Sequence, residues 1–264
     1  MSTAHHSRPL GTGAPARPAP WVAKALALTL NELRLAMRRG ESLLITFVIP
    51  AGVLLVFSGF DVSGGTAVGK PVERMLPGSM SLAVIAAAMV SLAIATGFER
   101  SYGVIKRLGG SPAGTSVLVA SKTAAVIVVE AVQMVLLVLI ATALGWVAGP
   151  GASLPLVAAG LILGTMAFAG FGLLMAGTLR AEATLALANL LFLLALVLGG
   201  IVLPLERLPA TVADASSVLP PAALTHVLAI GLGGSTGDAT ESVIVLAFWA
   251  AVLAGLAARK FRWD

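Results

Sequence analysis

VLVASKTAAVIVVEAVQMVLLVLIATALGWV, residues 117–147, decides the fold. Only Lys122 and Glu130 carry charge in this run. A helix needs roughly 20 apolar residues to cross a hydrocarbon core about 30 Å thick, so this one spans and must also tilt, kink or protrude. Five other segments read the same way: Ser42–Phe60, Leu76–Phe98, Leu154–Leu179, Ala183–Leu205 and Ser242–Ala258. The last is the shortest, and Phe261 and Trp263 give it an aromatic anchor. Composition agrees. The chain is 58% hydrophobic and 11% charged, with mean hydropathy +0.99. Soluble domains carry about 25% charged residues, enough to clothe a wetted surface. The expected fold is an all-α integral membrane protein with six transmembrane helices.

Basic residues set the expected orientation. With the N-terminus inside, the inner segments hold 14 of the 17 Lys and Arg residues. The outer segments hold Lys70, Arg74 and Arg207. A bias of this size places both termini in the cytoplasm. The net charge of +5 is scattered at helix ends with no aromatic-interleaved patch, so it reads as topogenic, and no nucleic-acid partner is expected. The absence of cysteine excludes disulfides, thiolate metal sites and cysteine nucleophiles.

The chain divides into three parts. Residues 1–20 are rich in Pro, Gly, Ala and Ser and lack an apolar core. They read as a disordered tail rather than a signal peptide, with His5 and His6 solvated. Residues 21–41 form an amphipathic helix: Leu26, Leu30, Leu33 and Met37 make an apolar stripe, and Lys24, Asn31, Glu32, Arg34, Arg38 and Arg39 the polar faces. Such a helix lies in the membrane interface, either as a simple anchor or also as part of a docking surface. Residues 42–264 are the six-helix domain. Within it, Glu206–Glu241 is the longest outer piece, and its apolar stretch Ala222–Leu232 is too short to span. It forms either a short external helix, a re-entrant turn or a packed loop.

Glu99–Pro112, ERSYGVIKRLGGSP, joins the second and third spans. Tyr102, Ile105 and Leu108 are spaced to share one face of a short helix, with Arg100, Lys106 and Arg107 on others. Gly109-Gly110 would end that helix and Pro112 prevent its continuation. The segment is either a positively charged topogenic loop or a lever pushed by a soluble partner. Glu130 is the one carboxylate deep in a span, with Gln133 one turn on, so both are candidates for a conduit or for helix–helix hydrogen bonds. Asn189 has the same choice, and a neutral amide suits helix packing. Gly160 and Gly164 form G-x-x-x-G, which permits close helix approach within one subunit or, less simply, at a dimer seam.

Several chemistries are missing from the sequence. Ser121-Lys122-Thr123 resembles the end of a phosphate loop, but Ser116 and Ser121 replace its glycines, so this chain is not expected to hydrolyse ATP. Lys122 is instead expected to snorkel to the inner interface. No paired carboxylates, HExxH or nucleophile elbow is legible, and His226 stands outside the spans, so no catalytic residue, metal site or cofactor is expected in this chain.

The chain resembles the bacterial type-2 ABC transporter permeases, including exporters of the antibiotic- or daunorubicin-resistance type. The resemblance rests on the N-terminal amphipathic helix, on Glu99-Arg100 with Gly103, and on Lys106-Arg107-Leu108 running to Pro112. Ala181–Asn189 and Gly199–Pro209 match the family's fifth span and its outer end. Ile105 departs from the usual Gly-Thr-Leu continuation, which leaves the helix end open. The resemblance implies a multi-pass protein of the bacterial plasma membrane that exports a hydrophobic or amphipathic substrate. It implies a partner, a cytoplasmic ABC ATPase subunit carrying ATP and Mg, and pairing with a second copy or a related permease among membrane lipids. It also implies that Glu99, Arg100, Tyr102, Gly103, Ile105, Lys106, Arg107 and Leu108 couple to that ATPase. The rival from another class is an ion- or proton-coupled carrier titrating Glu130.

Overall fold

The structure, a computed structural model, describes residues 20–38, 40–59, 70–104, 114–201, 205–207 and 209–260. Every regular element among them is helical: α1 (Trp21–Arg38), α2 (Gly40–Gly59), α3 (Pro71–Val84), a π-helical turn (Ile85–Ser91), α4 (Leu92–Ser101), α5 (Gly114–Ala143), α6 (Leu154–Thr178), α7 (Ala181–Leu198), a 3-10 turn (Leu205–Arg207), α8 (Ala210–Ser217), α9 (Pro220–Gly231) and α10 (Thr240–Lys260). Five helices are long and apolar enough to cross a membrane: Pro71–Ser101, Val117–Ala143, Leu154–Thr178, Ala181–Leu198 and Thr240–Lys260. The described apolar part of α2, Thr46–Gly59, is shorter. The chain is therefore a multi-pass membrane protein, and the tail, Arg39, Phe261 and Trp263 lie outside the described residues.

The sequence explains where these helices start and stop. Pro71 opens α3 with its ring at a position that needs no donor, and the Glu73 carboxylate accepts from the Lys70 amide at 3.2 Å. Ser153 caps α6 by accepting from the Leu156 amide at 3.4 Å. The fifth apolar run was expected to reach Leu205, but α7 stops at Leu198. Gly200 takes φ +64, a left-handed conformation that ends a helix cheaply only at glycine. The second run is longer than expected and widens at Ile85–Ser91. The carbonyl of Met89 presses to within 2.9 Å of where a Cβ on Gly172 would sit, so the wide turn fits against α6 only because that position is bare.

The open question over Ala222–Leu232 resolves as helix. Pro220 and Pro221 start α9, and Leu224, Val227 and Leu228 are fully buried against α3, α6 and α10. Gly160 and Gly164 receive α9. A Cβ at Gly160 would strike Val227 at 2.7 Å, and one at Gly164 would strike Leu224 at 2.9 Å. The G-x-x-x-G thus packs within one subunit. Further along α6, Gly170 lies 2.8 Å, by the same measure, from the backbone nitrogen of Ala254 in α10.

Candidate functional site

Polar side chains gather at two levels of this bundle. The first lies at the end where α4 stops. Lys122 was expected to snorkel to the inner interface, and it is only 4% exposed. Its ammonium sits 2.9 Å from Glu32 Oε1 of α1 and 2.6 Å from Glu99 Oε2 of α4. A lysine held away from water needs such partners, because an unpaired buried charge is expensive. Two carboxylates are therefore paired around one cation, which sequence reasoning missed. The three residues lie 90 and 23 positions apart along the chain, and no spacing rule joins them.

Arg100 works beside this cluster. Its guanidinium donates at 2.7 Å to the carbonyl of Ala176, in the last turn of α6, where a helix leaves carbonyls unmatched and welcomes positive charge. Glu99 and Arg100 thus tie the end of α4 to α5 and α6, and through Lys122 to α1. Tyr102 and Gly103 come next. The Tyr102 amide bonds back to Phe98 O at 3.0 Å and that of Gly103 to Arg100 O at 2.9 Å, with Gly103 at φ +69. Tyr102 closes α4 and is 70% exposed. Ile105, Lys106, Arg107 and Leu108 lie outside the described residues.

The leucine stripe of α1 is turned mostly away from the bundle, with only Leu33 half-buried. Leu26, Leu30 and Met37 are 59%, 55% and 73% exposed, as suits residues meant for acyl chains. Ala25, Thr29, Glu32 and Ala36 are turned inward instead. The Thr29 hydroxyl donates to Ala25 O at 2.8 Å and lies 3.4 Å from the carbonyl of Ser121, next to Lys122.

The second level is in mid-span. Glu130 of α5 is buried and its Oε2 accepts from the Thr165 hydroxyl of α6. Gln133, 2% exposed, donates its amide to the main-chain carbonyl of Thr46 in α2 at 3.0 Å, and the Thr46 hydroxyl lies 3.3 Å from that of Ser91 in the π-helical turn. Glu130 Oε1 and Gln133 Oε1 have no partner among the described residues. The geometry thus joins Glu130 and Gln133 to neighbouring helices of the same chain. Asn189 behaves differently. It is exposed, among the described residues, in the middle of α7.

The profile described as ABC-2 family transporter protein matches residues 67–259, well over half of the chain. The chain belongs to the ABC-2 transporter family. It is a permease, the membrane component of a transporter, and the family implies an ATPase partner. A search among curated proteins gives no match. The match begins after α1 and α2, so Glu32 falls outside the family's matched region while Glu99 and Lys122 fall inside it.

Two further residues of the permease have clear settings. His226 is exposed with Nδ1 2.9 Å from the Ser242 hydroxyl, a surface contact between α9 and α10. Asp238 accepts from both the amide and the hydroxyl of Thr240 and so caps α10. Among the described residues no cluster of His, Cys, Asp or Glu has the makings of a metal site.

Proposed function

We propose that this permease is the membrane subunit of an ATP-driven exporter in a bacterial plasma membrane, moving a hydrophobic or amphipathic substrate of drug or lipid type. It has six spans, with α2 as the first and both termini in the cytoplasm, as the distribution of basic residues supports. Two copies, or one and a related permease, pair with two cytoplasmic ATPase subunits that carry the ATP and Mg. The exposed mid-span amide of Asn189 fits such pairing, since a polar group facing lipid gains from a neighbouring subunit or a wet conduit.

One observation carries the coupling part of this reading. Glu99 and Arg100, the two residues that open the segment between the second and third spans, bond to α5 and α6 directly and, through Lys122, to Glu32 of α1. A displacement of that segment would therefore move four helices together. Co-purification from native membrane followed by reconstitution tests the reading. An ATPase subunit should accompany the permease, and export should stop on ATP depletion. Export that survives ATP depletion but collapses with an uncoupler would replace it with the carrier titrating Glu130.

A further inference from the structure

We propose that Lys122 is a positioning residue that fixes the interfacial helix α1 to the end of α4, so that both move as one body when the coupling segment is pushed; this rests on the exporter reading above. Helix α1 turns most of its large apolar side chains away from the bundle; its inward face joins the half-buried Leu28 and Leu33 to Ala25, Thr29, Glu32 and Ala36. Alanine and threonine let α1 lie close to α5 but do not choose one rotation or one height, because small side chains interlock weakly. Glu32 supplies that choice.

Its carboxylate meets an ammonium that is nearly sealed from water, where Coulomb attraction is screened far less than at a surface. The same ammonium holds Glu99, four residues before the left-handed turn at Gly103. One cation thus serves two acids from two different elements, α1 and α4. Lysine suits the task, because a compact charge with three donors can serve two carboxylates lying in different directions. Removing Glu32 cuts only the arm to α1 and leaves the Lys122–Glu99 pair. Removing Lys122 cuts both arms and leaves two carboxylates facing each other. The two changes therefore differ in kind.

The latch itself can be measured without any ATPase, because the chain contains no cysteine. Spin labels at Arg34→Cys on α1 and Ser101→Cys at the end of α4, both on exposed positions, should give one narrow distance distribution in the otherwise unaltered chain. Glu32→Gln should broaden it while α5 and α6 stay as they are. In the reconstituted complex, Glu32→Gln should lower export per ATP hydrolysed about tenfold, a usual size for coupling between sites, with ATP turnover kept. Lys122→Met should do the same or fail to insert. In the latter case the neutral triple variant Glu32→Gln, Glu99→Gln, Lys122→Met restores insertion by removing the facing carboxylates, yet stays uncoupled. A narrow distribution and unaltered export per ATP in Glu32→Gln would overturn the latch, as would a triple variant with full coupling. Failure of the exporter reading looks different: the unaltered permease would then export without ATP, while the labels would still report on the latch.

Discussion

Gln133 in α5 donates its side-chain amide to the main-chain carbonyl of Thr46 in α2, across 3.0 Å. Pro50, inside α2, is the reason this carbonyl suits a side-chain donor. In an α-helix the carbonyl of residue 46 takes the amide of residue 50, and proline has none. In lipid no water stands in for the missing rung, so a neighbouring helix supplies the donor. This gives a residue considered for a conduit a concrete role in packing.

The relationship predicts a dependence between two distant substitutions. Gln133→Leu should destabilise the permease in detergent by about 1 kcal/mol, the size of a hydrogen bond between membrane helices. Pro50→Ala restores the helical rung and should make the loss at Gln133 nearly silent. Thermal unfolding of the two single variants and the double variant measures the coupling. Additive effects would mean that Gln133 does not serve the gap left by Pro50.

Glu130 calls for a paired test. Its carboxyl bonds to Thr165 inside the protomer, so shape and hydrogen bonding should matter more than charge. Glu130→Gln should assemble and export at close to the normal rate. Glu130→Ala should lose about 1–2 kcal/mol of stability and assemble poorly. An assembled Glu130→Gln complex that does not transport would show that the ionisable group itself is needed.

Close helix contacts in α6 differ in how much they can give. A methyl at Gly170 meets the backbone of Ala254 and Leu253, which cannot step aside. At Gly164 it meets the flexible end of Leu224. Gly170→Ala should therefore cost about 1–3 kcal/mol, and Gly164→Ala less. Leu224→Ala should relieve Gly164→Ala and leave Gly170→Ala unimproved. Equal losses at both glycines would contradict this packing.

Individual residues mark how far the sequence was legible. Five long apolar helices were plain because lipid demands uninterrupted apolar runs, and the glycines of α6 announced close approach. The end of α7 was missed by several residues because Ile201 to Leu205 stays apolar while Gly200 turns the chain. The π-helical turn left no mark, since Ile85–Ser91 is as apolar as its flanks. The Lys122 cluster was invisible because pairing of Glu32 with Lys122 is a property of the folded bundle. Gln133 stands out in the sequence, but its partner is a main-chain atom, and Pro50 points to it only once α2 and α5 are known to touch.

Asp238 offers a pH test at the start of α10. Hydrogen bonds from the hydroxyl and then the amide of Thr240 hold its carboxyl below the usual carboxylate range. Its contribution to the cap is thus present above the ordinary carboxylate pKa and fades as pH falls through the lower, folded value. Hydrogen exchange at the first turn of α10 should speed up only in that acidic window. Asp238→Asn keeps an acceptor and should remove the pH dependence, whereas Asp238→Ala should leave the turn frayed at every pH.

Gly103 permits a graded test of the coupling segment. Its φ of +69 puts it in the left-handed region, and no atom of the described residues lies within 4 Å of where a Cβ would point. A substitution there is limited by backbone hand and not by space. Asparagine adopts this conformation more readily than other side-chain-bearing residues, alanine pays roughly 1 kcal/mol, and proline cannot adopt it. Proline also removes the amide that bonds Arg100 O. None of these residues changes the charge of the segment. If its function is topogenic, all three variants should insert and export alike, because basic residues alone set orientation. If the turn transmits force to Ile105–Leu108, export per ATP should fall in the order Gly, Asn, Ala, Pro with insertion unchanged. Insertion is read by labelling a cysteine placed at Ser235 from outside intact cells, and coupling by export and ATP turnover in one reconstituted preparation. Ile105→Asp should uncouple as Gly103→Pro does. Equal export per ATP across the whole series would return the segment to a purely topogenic role.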